Sequence, residues 1–163
     1  MDRVLGVETE YGLSARTARG RLSAPEAAEL LFRPVVAEHR STNAFLANGG
    51  RLYLDVGAHP EYATPECRTV RQLLVAERAG DELVLGLAAR ASALAAQDGQ
   101  DVRFRLFKNN VDSFGNSYGC HENYLVARDQ DLSALVDVLT PFLVTRQVLC
   151  GSGSYRRGEF TIS

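Results

Sequence analysis

Six residues carry the densest chemistry in the chain: Glu8 and Glu10, then Arg51, Tyr53 and Asp55, then Glu61. Within the first two groups the spacing is two, the repeat of an extended strand whose side chains alternate between faces. In residues 3–11 (RVLGVETEY), Leu5, Val7, Thr9 and Tyr11 share one face, and Val4, Gly6, Glu8 and Glu10 share the other. In residues 51–56, Leu52, Leu54 and Val56 form an apolar face, so Arg51, Tyr53 and Asp55 point away together. Four carboxylates around one arginine repel one another unless a cation joins them. Hard oxygen donors of this kind suit Mg²⁺ or Mn²⁺, which keep waters and bridge to substrate phosphates. A solvated face of an antiparallel sheet also carries scattered charge, and spacing alone leaves both readings open.

A second constellation runs from Lys108-Asn109-Asn110 through Asp112-Ser113 and Gly115-Asn116-Ser117-Tyr118-Gly119 to His121-Glu122-Asn123. Small hydrogen-bonding residues let a loop approach phosphates closely. The segment matches no P-loop or dinucleotide fingerprint, and a turn-rich hairpin loop is the competing reading. His59 and His121 read as structural histidines. Cys67, Cys120 and Cys150 are odd in number and show no metal-ligand or nucleophile spacing, which fits reduced thiols.

The elements that must position these groups follow from periodicity and punctuation. Ser23-Ala-Pro-Glu26 is a capping box that opens a helix to about residue 37, with Pro34 predicting a kink or early stop. Asn48-Gly49-Gly50 is a turn into the strand at 51–56; Gly57 breaks that strand, and residues 59–64 form a short strand or loop. Thr69 caps a long helix from 70 to about 96. Residues 102–108 and 120–128 read as strands, and 131 to about 149 as a helix interrupted near Pro141. A flexible turn at 151–154 precedes a last strand at 159–162. This order predicts an α+β fold, mainly antiparallel, with helices on one sheet face and the polar residues on the other.

With 45% apolar and 23% charged residues, the composition is globular rather than disordered or coiled-coil. The net charge of −2 predicts no electrostatic pull toward nucleic acid or membrane. No apolar run is expected to approach the roughly 18–20 residues of a membrane span. The polar start of the chain predicts no signal peptide, and with the reduced thiols it places the protein in the cytoplasm. Of 18 basic lysine and arginine residues only Lys108 is a lysine, which genomic base composition can explain.

Three long motifs carry a resemblance. Residues 6–12 (GVETEYG), 51–64 (RLYLDVGAHPEYAT) and 107–124 (FKNNVDSFGNSYGCHENY) closely resemble the N-terminal part of the Pup–protein ligases, and 141–147 (PFLVTRQ) extends the match. That family is related to glutamine synthetase and the carboxylate–amine ligases. The resemblance implies that residues 1–163 are the N-terminal portion of one glutamine synthetase-like catalytic domain. The remainder of that domain, a late tryptophan at the nucleotide and a C-terminal domain would lie elsewhere, and this chain has no tryptophan.

The implied activity uses Mg²⁺ and ATP to phosphorylate the C-terminal γ-carboxylate of Pup, a small ubiquitin-like tag. That carbon is then joined to a lysine ε-amine of a target protein, marking it for the bacterial proteasome. By resemblance, Glu8, Tyr53 and Glu61 are magnesium ligands, Arg51 and Thr64 contact ATP, and Asp55 is the catalytic proton acceptor. Glu10, Asn109, His121 and Glu122 are expected in or near the nucleotide cradle without assigned contacts. The partners implied are Pup and lysine-bearing target proteins. A Pup deamidase or depupylase of the same family is the nearest rival, and an inactive remnant or binding module is a third reading. The ligase-like form of the catalytic strand and the short segment after Leu13 favour the ligase.

Overall fold

A computed structural model describes residues 4–108, 110–111, 115–156 and 158–162. Asn109, Asp112 and Ser113 of the asparagine-rich segment lie outside the described residues. The elements are β1 (Leu5–Glu10), β2 (Gly12–Thr17), β3 (Gly20–Arg21), α1 (Ala24–His39), β4 (Asn43–Phe45), β5 (Arg51–Asp55) and β6 (His59–Ala63). They continue as α2 (Val70–Gln97), β7 (Arg103–Phe107), β8 (Cys120–Tyr124), α3 (Leu132–Thr145), α4 (Gln147–Cys150), β9 (Ser154–Arg156) and β10 (Glu159–Thr161). The fold is α+β, and every strand pair is antiparallel.

The chain forms two compact units: residues 1–108 with 119–124, and residues 109–118 with 125–163. In the first unit a five-stranded sheet runs in the order β4-β5-β6-β1-β8, and a separate three-stranded sheet runs β3-β2-β7. One sheet was expected. Tyr11, between β1 and β2, marks the division: its N–H bonds to Pro60 O at 2.8 Å, and the next residue, Gly12, already pairs with Phe107 of β7. The strand at 103–107 therefore joins β2, not the sheet that holds the acidic face.

Helices α1 and α2 cover the apolar face of the larger sheet. Leu31, Phe32 and Val35 from α1 and Val84, Leu87 and Ala91 from α2 close on Leu52 and Tyr62. The capping box forms as expected, with the Glu26 carboxylate accepting from Ser23 N–H at 2.8 Å. Pro34 does not stop α1, which continues to His39. An interior proline costs about 3 kcal/mol. Burial of Leu31, Phe32 and Val35 on both sides of it, at about 1.5–3 kcal/mol for a large apolar side chain, outweighs that cost.

Gly80 of α2 lies directly against the Tyr62 ring, and a Cβ placed there would overlap it. Tyr62 is fully buried and its hydroxyl accepts from Asn48 Nδ2 at 3.1 Å, so the ring cannot yield cheaply. Overpacking costs about 1–3 kcal/mol, against roughly 1 kcal/mol that alanine gains over glycine in a helix. Gly80→Ala is therefore expected to lower Tm in a thermal melt, despite its better helix propensity.

In the second unit α3 is capped by Asp131, whose Oδ1 accepts from Ser133 N–H at 2.9 Å, and it runs through Pro141 rather than breaking there. Residues 132–150 are 19 residues of mean hydropathy 1.4, long and apolar enough by those measures to cross a membrane. This corrects the expectation that no such run exists. Asp137, Pro141 and Arg146 interrupt the stretch, but the apolar residues between them outweigh their polarity. No residue of α3 is buried. The expected turn at 151–154 gives its last residue to β9, which pairs with β10.

Candidate active site: an acidic sheet face

The register of the larger sheet decides what meets on the face away from the helices. Glu61 of β6 lies opposite Tyr53 of β5 on one side and Glu10 of β1 on the other. One step along, Ala63 lies between Arg51 and Glu8, and Glu8 lies opposite His121 of β8. Asp55, at the end of β5, pairs with His59. The strand ends there because the next residues turn: Gly57 and Ala58 have φ of 88° and 64°. The second of these is a left-handed conformation that a non-glycine residue adopts at a cost of roughly 1–2 kcal/mol.

Glu61 is the centre of the face. It is 2% exposed, and ligand atoms of Glu8, Glu61 and His121 lie within 4.8 Å of one another. The same holds for Glu10, Asp55 and Glu61, so Glu61 belongs to both groups. Burial pushes its carboxyl above the usual carboxylate range, and the charges of Asp55, Glu10 and Glu8 add to that; a hydrogen bond from Tyr53 works in the opposite direction. Burial, with Glu61 as acceptor, in turn holds the Tyr53 phenol protonated well above its ordinary range. The result is a set of hard oxygen atoms with excess negative charge gathered around one buried carboxylate, the environment that suits a small divalent cation.

The flanking groups are tied. Glu8 receives Asn123 Nδ2 at 3.1 Å and faces His121 Nδ1 at 3.2 Å. Glu10 accepts from Gly119 N–H at 2.9 Å and faces His59 Nδ1 at 3.3 Å. The Arg51 guanidinium stacks 4.3 Å from the Tyr53 ring centre and donates to Asn43 Oδ1 at 2.7 Å. Among the described residues the Asp55 carboxylate takes no hydrogen bond, whereas the Asp55 backbone carbonyl accepts from Ala58 N–H at 3.2 Å.

Of the residues singled out from sequence, Glu8, Tyr53, Asp55 and Glu61 are brought together, with Arg51 beside them and Glu10 in the same cluster. Thr64 is not among them: it follows β6, and its hydroxyl accepts from Val7 N–H at 3.0 Å. Glu122 lies opposite Val7, on the other face from His121, and accepts from the Tyr124 hydroxyl at 2.8 Å. His59, Gly119 and Asn123 were not singled out as site residues. Strand alternation through residues 119–123 marks Asn123 together with His121, but only the pairing of β8 with β1 shows that they reach Glu8.

An antiparallel sheet with one face given to carboxylates, a phenol and a guanidinium defines an α+β protein whose acidic face offers the oxygen donors a divalent cation would use. The chain matches the Pup-ligase protein family over residues 3–163, and it belongs to that family. It is 56% identical over 163 residues to the Pup–protein ligase of Corynebacterium diphtheriae, covering 99% of this chain and 34% of that protein. With the Pup–protein ligase of Xylanimonas cellulosilytica it shares 57% identity over 152 residues, 93% of this chain and 33% of the relative. The chain thus spans about a third of the length of these curated relatives. Among solved structures it is similar to the ligase PafA in complex with the prokaryotic ubiquitin-like protein Pup, with TM-score 0.91, 47% identity, and coverage of 99% of this chain and 34% of that one. A Pup ligase PafA in complex with ADP matches with TM-score 0.69, 48% identity, and coverage of 87% and 32%.

Proposed function

We propose that this chain supplies the metal- and phosphate-handling face of a cytoplasmic ATP-dependent ligase that joins the C-terminal glutamate of Pup to lysine ε-amines of target proteins. Such tagging would direct the targets to the bacterial proteasome. The observation that carries the reading is Glu61, buried at the centre of two overlapping carboxylate groups. Membership in the Pup-ligase family and the similarity to an ADP-bound PafA support it.

In this reading Glu8, Tyr53 and Glu61 hold Mg²⁺, and Arg51 and Thr64 contact ATP. Bound there, Mg²⁺ would offset phosphate charge during phosphoryl transfer. A γ-carboxylate oxygen of Pup attacks the terminal phosphorus of ATP, and ADP leaves. Arg51, already fixed against Tyr53, offsets charge on the transferring group. The lysine nitrogen then attacks the activated carbon, the C–N bond forms and phosphate departs. An amine of pKa near 10.4 is almost wholly protonated at neutral pH. It must lose a proton, and the Asp55 carboxylate, which takes no hydrogen bond among the described residues, is the acceptor.

A segment exchange tests the reading. Residues 1–163 replace the corresponding third of the Corynebacterium diphtheriae relative, and the product is supplied with Mg²⁺-ATP, a lysine-bearing target and Pup ending in glutamate or glutamine. Conjugation of the glutamate form without hydrolysis of the glutamine form is the expected result. Deamidation of the glutamine form without conjugation would reassign the chain to the deamidating branch.

A further inference from the structure

The chain's one lysine is not a free surface amine. Lys108 follows β7, and its ammonium is held by two carboxylates of α2, Glu77 and Asp81, the second at 2.6 Å. Residues four apart on a helix share a face, so the two acids form a fork. Asp81 is fixed in turn: its Oδ1 accepts from the Tyr11 hydroxyl at 2.9 Å, and Arg78 lies 3.4 Å from its Oδ2. The Tyr11 ring centre is 5.5 Å from the ammonium, within cation–π range. The Lys108 side chain is 40% exposed, and those of Glu77 and Asp81 are 25% and 21% exposed, so water screens this pairing only in part.

We propose that Lys108 is a masked lysine: the Glu77–Asp81 fork withholds its nitrogen from acyl donors, so the one ε-amine of this segment does not become an acceptor. The purpose of such masking rests on the ligase reading above; its chemistry does not. An amine attacks a carbonyl through a lone pair that the ammonium lacks. Burial alone would favour losing the proton, but the hydrogen bonds and charges of Asp81 and Glu77 more than reverse this and hold the ammonium above the ordinary lysine range. Arginine, used at every other basic Lys/Arg position, stays protonated and offers no comparable nucleophile.

The test uses the N-hydroxysuccinimide ester of acetic acid on the purified 163-residue chain at pH 8. In that reaction the lysine nitrogen forms a bond to the carbonyl carbon, N-hydroxysuccinimide leaves with the ester oxygen, and the amine proton passes to buffer. Because there is one lysine, mass spectrometry reads Lys108 directly, with the N-terminal amine as internal reference. Because the fork both holds the proton and covers the nitrogen, acetylation of Lys108 in the folded chain is expected to be several-fold slower than in urea. Glu77→Gln, with an unchanged circular dichroism spectrum, is expected to recover several-fold of that rate, whereas Tyr11→Phe keeps both acids and leaves Lys108 slow. Equal rates in the folded and urea-unfolded chain, or no acceleration in folded Glu77→Gln, would overturn the proposal. The reagent replaces Pup, so failure of the ligase reading leaves this result standing, and the reverse is also true.

Discussion

Asp55→Asn in the segment-exchange ligase is expected to abolish conjugation while leaving Mg²⁺-dependent ATP binding nearly intact. The substitution keeps the shape of the side chain and removes its ability to take a proton. Asp55 sits at the end of β5, where its backbone carbonyl accepts from Ala58 N–H at 3.2 Å, while its carboxylate, within 4.8 Å of Glu10 and Glu61 by ligand atoms, takes no hydrogen bond among the described residues. A general base contributes roughly 10²–10⁴-fold to rate, so the residual conjugation should fall by about that factor. Single-turnover conjugation and calorimetric ATP titration, run on the same protein, separate the two effects. Conjugation within a few-fold of the parent would remove Asp55 from the proton-transfer role. Lost ATP binding would place it among the groups that hold the nucleotide.

Glu61→Gln is expected to act in opposite directions on stability and on ligand binding. Because burial and neighbouring acids raise the Glu61 carboxyl above its unfolded value, the protonated form suits the fold, and that contribution is lost as pH rises through the folded value. Above that value the ionised group therefore weighs against folding, and glutamine, which can still accept from Tyr53, relieves it. Without magnesium the variant should melt higher, by roughly 2–4 °C per kcal/mol relieved in a domain of this size. The advantage should shrink as pH is lowered and the parent glutamate takes up its proton. With Mg²⁺-ATP the order should reverse, because the parent gains stabilisation from a bound ligand and the variant has lost a central anionic oxygen. Thermal melts at two pH values, with and without Mg²⁺-ATP, give all four comparisons. A variant that melts lower without ligand, yet keeps the full Mg²⁺-ATP increment, would return Glu61 to a purely structural role.

What the sequence made legible was local. The period of two in Arg51–Asp55 and Leu5–Glu10 is a steric property of extended backbone, so the shared face of Arg51, Tyr53 and Asp55 followed without tertiary information. The caps at Ser23 and Thr69 are set within three residues, by side chains accepting from Glu26 and Gln72 N–H. What escaped was non-local. Nothing near residue 103 announces that this strand pairs with β2, 87 to 95 residues earlier in the chain, because the choice depends on where Tyr11 turns the chain. His121 meets Glu8 across a separation of 113 residues, and His59 meets Glu10 across 49. The extent of α1 beyond Pro34 was likewise decided by the burial of Leu31, Phe32 and Val35 rather than by the proline itself.

The antiparallel register of β5, β6 and β1 makes the acidic face far more tolerant of substitution than of changes in chain length. Each strand assigns its side chains by parity. Removing one residue inside Arg51–Asp55 would exchange the destinations of every residue beyond the cut. A charged group would then point at Leu87 and Val84, and a leucine toward Glu61. The same deletion in the turn at 56–58 changes only the path between strands whose parity is already set. Insertions and deletions compatible with this chemistry are therefore confined to the turns, while the strands that carry Glu8, Tyr53 and Glu61 can vary in composition only at fixed length.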